Sequence, residues 1–368
     1  MTETLRDWLT LHLVPGLGAV GFRKLVETFG SAAAALRAGR KDLRQVQGLR
    51  PEAILAITTA PPYHDAEREL KRIKPLGISV ICFGDTDYPA LLANIYNPPM
   101  VLFVKGDLNA LSKCGLAVVG SRAATSYGLK IARDLSGQLA AKGLVIVSGL
   151  ALGIDTAAHA GALATGGETV AVLGCGLDVC YPRSNERLAE EIAKAGAVVS
   201  EYSLGTQPDA FRFPARNRII SGLSRGVLVV EAAQRSGSLI TARLALDEGR
   251  EVFAIPGRVD SVKSTGTHRL LQEGAKLVGT VDDILEELGW RKENSGADKT
   301  PGAPAPPAVT LSEDESRILQ LLDVYPKHID TIIIQARLSV AKVSEILLLL
   351  ELHGLIEAVP GQQYRAIF

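Results

Sequence analysis

The sequence predicts an α/β protein: a Rossmann-like, doubly wound sheet with an N-terminal helical bundle before it and a C-terminal winged helix after it. Three observations carry this. Seven apolar runs alternate with helical patterns between about residues 114 and 290, a Pro-, Gly- and Ala-rich spacer occupies 291–310, and 368 residues exceed the usual single domain. Apolar residues make up 47% of the chain but aromatics only 5%, so the core must be built from Ala, Val, Leu and Ile.

Residues 5–60 contain VPGLGAVGFRKLVETFGSAAAALRA and VQGLRPEAILAI. Two glycine turns, each leading into a helix, suggest a SAM or helix-hairpin-helix-like bundle, assigned to 1–80. Residues 61–113 bridge into the sheet, with ISVICFG as a strand and YPALLANIYNPPMVLFVKG as a partly irregular connection whose Pro98-Pro99 pair excludes a continuous helix. The sheet domain, 81–290, holds the runs GLAVVG, LVIVSG, TVAVLG, AVVSEY, GVLVVEA, EVFAIPG and KLVG. Most are continuous rather than alternating, which suits strands covered on both faces. Nearly every one ends in Gly, Ser or a carboxylate, where a doubly wound sheet opens its ligand crevice.

The 291–310 stretch has the composition of a flexible linker. Residues 311–368 follow as a compact unit. Leu311 precedes an N-cap at Ser312, Glu315 completes a capping box, and three helices followed by GLIEAVPGQQYRAIF give the winged-helix pattern. The helix SVAKVSEILLLLELHG carries Lys342 alone as a base, which favours protein contact or packing over duplex readout.

Forty basic residues balance forty acidic ones, so any polyanion site must be concentrated locally. The four cysteines form no C-x-x-C pair, which points to reduced thiols and away from metal ligation. The absence of a signal-like or membrane-spanning window points to a cytoplasmic protein.

Five turns carry candidate chemistry. In VVGSRAATSYG, Ser121 and Arg122 open a helix after a strand; this is either an anion site of amides plus guanidinium or a tight turn with a solvated arginine. In VSGLALGIDTAAHAGAL, Gly149 and Gly153 precede Asp155 and His159, four apart, which form either a general-base pair or a local helix contact. LGCGLDVCYPRSNERL lacks the third glycine of a dinucleotide fingerprint, so no NAD or other cofactor is expected, and Arg183 should face solvent. FRFPARNRIISGLSR holds Arg212, Arg216, Arg218 and Arg225 without one acid. Its Phe213-Pro214 step should be extended, with Arg216, Asn217 and Arg218 starting a helix that aims them at phosphates beneath a base stacked on Phe213. Alternatively Phe213 is core and the arginines pair with Glu201, Glu231 or Asp178. Finally, Ser236, Gly237 and Ser238 make a donor-rich turn between strand and helix. So many such turns on one sheet edge favour a polyanion groove over a mononucleotide pocket.

GSR at 120–122, SGLALGID at 148–155, AH at 158–159, GLDVCYP at 176–182, FPARNRIISGLS at 213–224, EAAQRSGSLITA at 231–242 and FAIPG at 253–257 resemble, in order, the signatures of the DNA-processing protein A (DprA/Smf) family. The resemblance runs from about residue 80 to 280. It implies an extended Rossmann fold that binds single-stranded DNA, dimerises, and loads the RecA recombinase during natural transformation without enzymatic turnover. It places DNA contacts at Ser121, Arg122, Arg183, Phe213, Arg216, Asn217 and Arg218, with donors from Gly149, Gly153, Ser236, Gly237 and Ser238. The alternative from the enzyme class is a nucleotide phosphoribohydrolase on a related fold, which would need Glu231 as its acid.

Overall fold

The computed structural model describes residues 3–290 and 312–366, apart from 324, 325 and 354, as two separate units. The spacer at 291–310 and Leu311 lie outside the described residues.

In the larger unit nine strands form one sheet: β1 Ile78–Cys82, β2 Val101–Gly106, β3 Gly115–Val119, β4 Val145–Ser148, β5 Thr169–Leu173, β6 Ala197–Ser200, β7 Gly226–Val229, β8 Glu251–Ala254 and β9 Lys276–Leu277. Their order is β1-β2-β6-β5-β4-β3-β7-β8-β9. From β6 to β9 every neighbouring pair is parallel. Each of the seven apolar runs contains one of these strands. β3, β4 and β5 are buried along their whole length because crossover helices cover both faces, among them Ser126–Ala141 after β3 and Ile154–Ala164 after β4. The chain winds outward from β3 to β6, then returns to start again at β7 beside β3. The carboxyl ends of β3 and β7 therefore flank a topological switch point, where loops diverge and leave a crevice.

One strand departs from expectation. VLFVKG, within the connection read as partly irregular, is β2, antiparallel to both β1 and β6. Its alternate residues serve two cores. Leu102 and Val104 join the sheet core, whereas Val101 and Phe103 join the bundle core with Leu9, Leu25 and Ile57. With both faces buried there is no polar alternation to mark the strand. This shared strand makes bundle and sheet one compact unit, and the boundary between residues 80 and 81 falls inside β1.

The bundle contains helices Glu3–His12, Ala19–Phe29, Ala32–Arg37, Arg40–Leu43, Pro51–Thr59 and Tyr63–Ile73. Gly16 and Gly48 adopt positive φ, 75° and 86°, in the two glycine turns.

The smaller unit packs helices Glu313–Leu321, Ile329–Ala336 and Val340–Leu352 on a three-stranded antiparallel sheet ordered β10 (Lys327–His328), β12 (Gln363–Ala366), β11 (Ile356–Val359). Ile318, Ile332, Val343, Leu347 and Ile356 form its core. The capping box at Ser312 and Glu315 is present. Lys342 lies 3.1 Å from Glu345. No described helix in either unit is long and apolar enough to cross a membrane.

Candidate nucleic-acid interface

The turn after β3 is fixed from across the switch point. Gly120 has no room for a side chain, since a Cβ there would stand 2.6 Å from Ile154 and 3.0 Å from the Glu231 carbonyl. Thr125 caps the helix Ser126–Ala141, its Oγ1 accepting from Gly128 N at 3.1 Å. Glu231, buried beyond β7, accepts from Thr125 N at 2.9 Å and from Thr125 Oγ1. Both its oxygens are spent on holding this turn.

Between those anchors Arg122 is exposed, its guanidinium 5.2 Å from the centroid of the Phe213 ring. Phe213 in turn packs against Tyr181 with centroids 5.5 Å apart and planes tilted by 34°. Among the described residues no carboxylate pairs with Arg122. Lys263, from the loop after β8, donates to the Ala123 carbonyl beside it.

The turn after β4 is strained and close-packed. Leu150 holds φ 56° and Gly153 φ 79°, and a Cβ on Gly153 would fall 2.3 Å from the Ser121 carbonyl oxygen. Asp155 turns its carboxylate back onto this loop, accepting from Gly149 N at 3.1 Å and Ala151 N at 3.4 Å. Arg216 enters beneath. Its Nη1 donates to the Gly149 carbonyl at 2.8 Å and to that of Val172, tying the ends of β4 and β5 together. A Cβ on Gly149 would strike this guanidinium at 2.5 Å. Burial lowers Arg216 to about 10 against the attraction of Asp155, leaving it a cation at neutral pH. Asp155 is pushed up by burial and held back by Arg216.

His159 is fully buried, and its Nδ1 lies 2.7 Å from Thr169 Oγ1, whose own proton goes to the Ile146 carbonyl at 2.6 Å. The ring therefore donates from Nδ1, and Nε2 has no partner among the described residues. Burial and then Arg216 depress it to about 3, so it is neutral. Asp155 orients the loop and does not orient His159, so the general-base reading of this pair has no geometry behind it.

The acid-free arginine stretch is compensated by the fold. Its helix runs Arg212–Gly222, so Phe213 and Pro214 lie in the first turn rather than in an extended entry. Proline is tolerated there because first-turn amides have no intrahelical acceptor. Arg212 pairs with Asp209 at 3.0 Å. Arg218 forms a partly buried ion pair with Glu201. Arg216 is only 4% exposed. Arg225 sits at the opposite end of the sheet, where its amide bonds the carbonyl of Gly115, the first residue of β3. Asp178, the third acid considered as a partner, pairs instead with Arg72 at 3.0 Å.

Ser121, Arg122, Gly149, Gly153, Arg183, Phe213 and Ser236 to Ser238 stand on loops or helix starts at the carboxyl edge of the sheet, and Asn217 lies midway along the helix Arg212–Gly222. Arg183 is exposed. Asn217 Nδ2 reaches the Gly237 carbonyl at 3.4 Å, Ser236 and Ser238 hydroxyls are 2.8 Å apart, and a Cβ on Gly237 would meet nothing. Two contributors escaped the sequence reading. Tyr181, 43% exposed, extends the Phe213 platform; the pairing of the two rings had no local signal. Asn185 donates to Leu150 O at 2.9 Å and Thr156 Oγ1 at 2.8 Å, binding the loop after β5 to that after β4. The edge thus offers a cation over the Phe213 ring, which packs in turn against Tyr181, with hydroxyls and a bare glycine on the same edge. That suits a phosphate backbone carrying unstacked bases.

Comparison with known proteins identifies relatives of this chain. The family model for DNA recombination-mediator protein A matches residues 79–289, and that for the DprA winged helix domain matches 302–362. The DNA processing protein DprA of Streptococcus pneumoniae is 55% identical over 204 residues, which is 55% of this chain and 72% of that protein. An X-ray structure of S. pneumoniae DprA superposes with a TM-score of 0.70 and 43% identity, covering 78% of this chain and 99% of the other. DNA processing protein A from Helicobacter pylori, whose structure is described as revealing a single-stranded DNA binding mode, gives a TM-score of 0.53 and 33% identity, covering 57% of this chain and 95% of the other.

Proposed function

The chain belongs to the DNA recombination-mediator protein A family, and from that premise we propose that it binds single-stranded DNA along the carboxyl edge of its sheet. The observation that carries the reading is the Arg122–Phe213–Tyr181 stack beside the switch point, a cation without an acid on a ladder of two rings. Phosphates would run past Arg122 and Arg183, bases would stack on the rings, and Ser121, Asn217, Ser236, Gly237 and Ser238 would supply donors and close approach. Gly149, Gly153, Arg216 and Arg218 would act one layer beneath, setting the loops at the spacing the strand needs. Four supports and few free cations predict a modest salt dependence.

At the finer level, the protein works as a homodimer without turnover, protects incoming single strands and loads RecA onto them during natural transformation, in the cytoplasm. What supports this is the family, together with the engagement of Glu231, the acid that the enzyme alternative would need, with Thr125. The test of binding is fluorescence anisotropy of labelled oligo-dT over a salt series. Arg122→Ala should flatten the salt slope by about 0.7, and Phe213→Ala should weaken binding by about ten- to a hundredfold. Saturable binding indifferent to both substitutions would move the site elsewhere. Acceleration of RecA filament assembly on the bound strand is the separate readout for loading.

A further inference from the structure

A second feature of the larger unit lies outside that edge. The two glycine turns of the bundle and the start of the helix Arg212–Gly222 enclose an open cleft of about 810 Å³, within the range of ligand sites. Gly16 and Gly48 line it from the turns, Lys24 and Arg50 from the bundle, and Phe211 and Arg212 from the sheet domain. Phe211 is 70% exposed, an unusual state for a large ring. The Arg212 guanidinium lies 5.1 Å from its centroid and 5.0 Å from that of Tyr202, forming a second cation–aromatic ladder. Lys24 spends one of its three hydrogens on the Gln47 carbonyl at 2.9 Å, and among the described residues Arg50 has no acid partner. The amides of the first turn are not the attraction, because the Glu52 carboxylate lies against Gly16.

We infer that this cleft is a second polynucleotide site, in which a base stacks on Phe211 while flanking phosphates face Lys24 and Arg50. It rests on the reading of the sheet edge as a single-strand site, and its occupant is the continuation of the same strand. The link is the chain itself: Phe211 and Phe213, two residues apart at one helix start, face the cleft and the Arg122 stack respectively. A strand leaving the stack on Phe213 meets the cleft after passing Arg212. The bundle thereby lengthens the footprint and adds affinity only for strands long enough to reach it.

The experiment compares the full chain with Phe211→Ala/Arg50→Ala on oligo-dT of about 6 and about 20 nucleotides, spanning the sizes such sites occupy. Both side chains are exposed and neither caps a helix through its side chain, so the variant should melt with the wild type, which circular dichroism checks. The expected result is unchanged binding of the short strand and about tenfold weaker binding of the long one, with Arg122→Ala weakening both. Equal affinity of variant and wild type for the long strand, or equal weakening at both lengths, would overturn the cleft site while leaving the sheet edge standing. Failure of the wild type to bind either strand would overturn both readings together.

Discussion

Arg216 separates two explanations of the arginine-rich helix. If it held a phosphate, its removal would cost DNA affinity and little stability. Its position predicts the reverse emphasis. Arg216→Met keeps most of the stem volume but strips the Gly149 and Val172 carbonyls of their donor and leaves Asp155, 7% exposed, beside no cation. Each buried acceptor left unsatisfied costs about 1–3 kcal/mol, and an uncompensated buried charge about 3–5 kcal/mol. These effects overlap at one site, so a total of about 3–5 kcal/mol is expected, a large share of a typical stability of about 5–15 kcal/mol. Urea denaturation followed by circular dichroism should show a clearly lower midpoint for Arg216→Met, and a shift of no more than about 0.5 kcal/mol for exposed Arg122→Ala. The pH dependence gives a second check. Asp155 already has a raised folded-state value and would rise further without the guanidinium, so the native variant takes up a proton more readily than its unfolded chain. The destabilisation should therefore shrink as pH is lowered from 7 toward the carboxylate range, and be greatest above it. An unchanged midpoint combined with a flatter salt slope for DNA would refute the brace and return Arg216 to the phosphates.

Gly153→Ala should destabilise the protein and abolish binding together, because φ 79° and a Cβ 2.3 Å from the Ser121 oxygen displace the Arg122 turn; a folded variant with normal affinity would contradict that packing. Gly237→Ala, where a Cβ meets open space, should leave thermal stability unchanged and lower DNA affinity only, as measured by melting and anisotropy in parallel. His159, depressed to about 3 when folded, binds a proton in the unfolded chain first, so stability should fall as pH drops below about 6.5, by up to about 1.4 kcal/mol per pH unit. His159→Gln should flatten that fall in denaturation midpoints; an identical slope would mean the ring is not the group responsible.

The strands of the sheet were legible because burial on both faces leaves continuous apolar runs between glycine turns. GLAVVG and TVAVLG match β3 and β5 nearly residue for residue. β2 was not, since VLFVKG divides its residues between two cores that no single periodicity describes. The seven family signatures were legible as an ordered series, and with them the sheet edge that carries the candidate site.

What the sequence by itself determined was the class of fold, the family, and which loops share one edge, because these follow from local apolar pattern and the spacing of glycine turns. The tertiary structure alone decided which charges are free. Four arginines in the acid-free stretch 211–225 read as a phosphate clamp, yet Glu201 and Asp209, both outside it, claim two of them, main-chain carbonyls hold a third, and the fourth lies at the far end of the sheet. Carbonyl acceptors have no residue type, and ion pairs form across distances in sequence that composition cannot see. Arg122, one arginine in an unremarkable turn, is left exposed on that edge because the fold places the Phe213 ring beside it and, among the described residues, no carboxylate pairs with it.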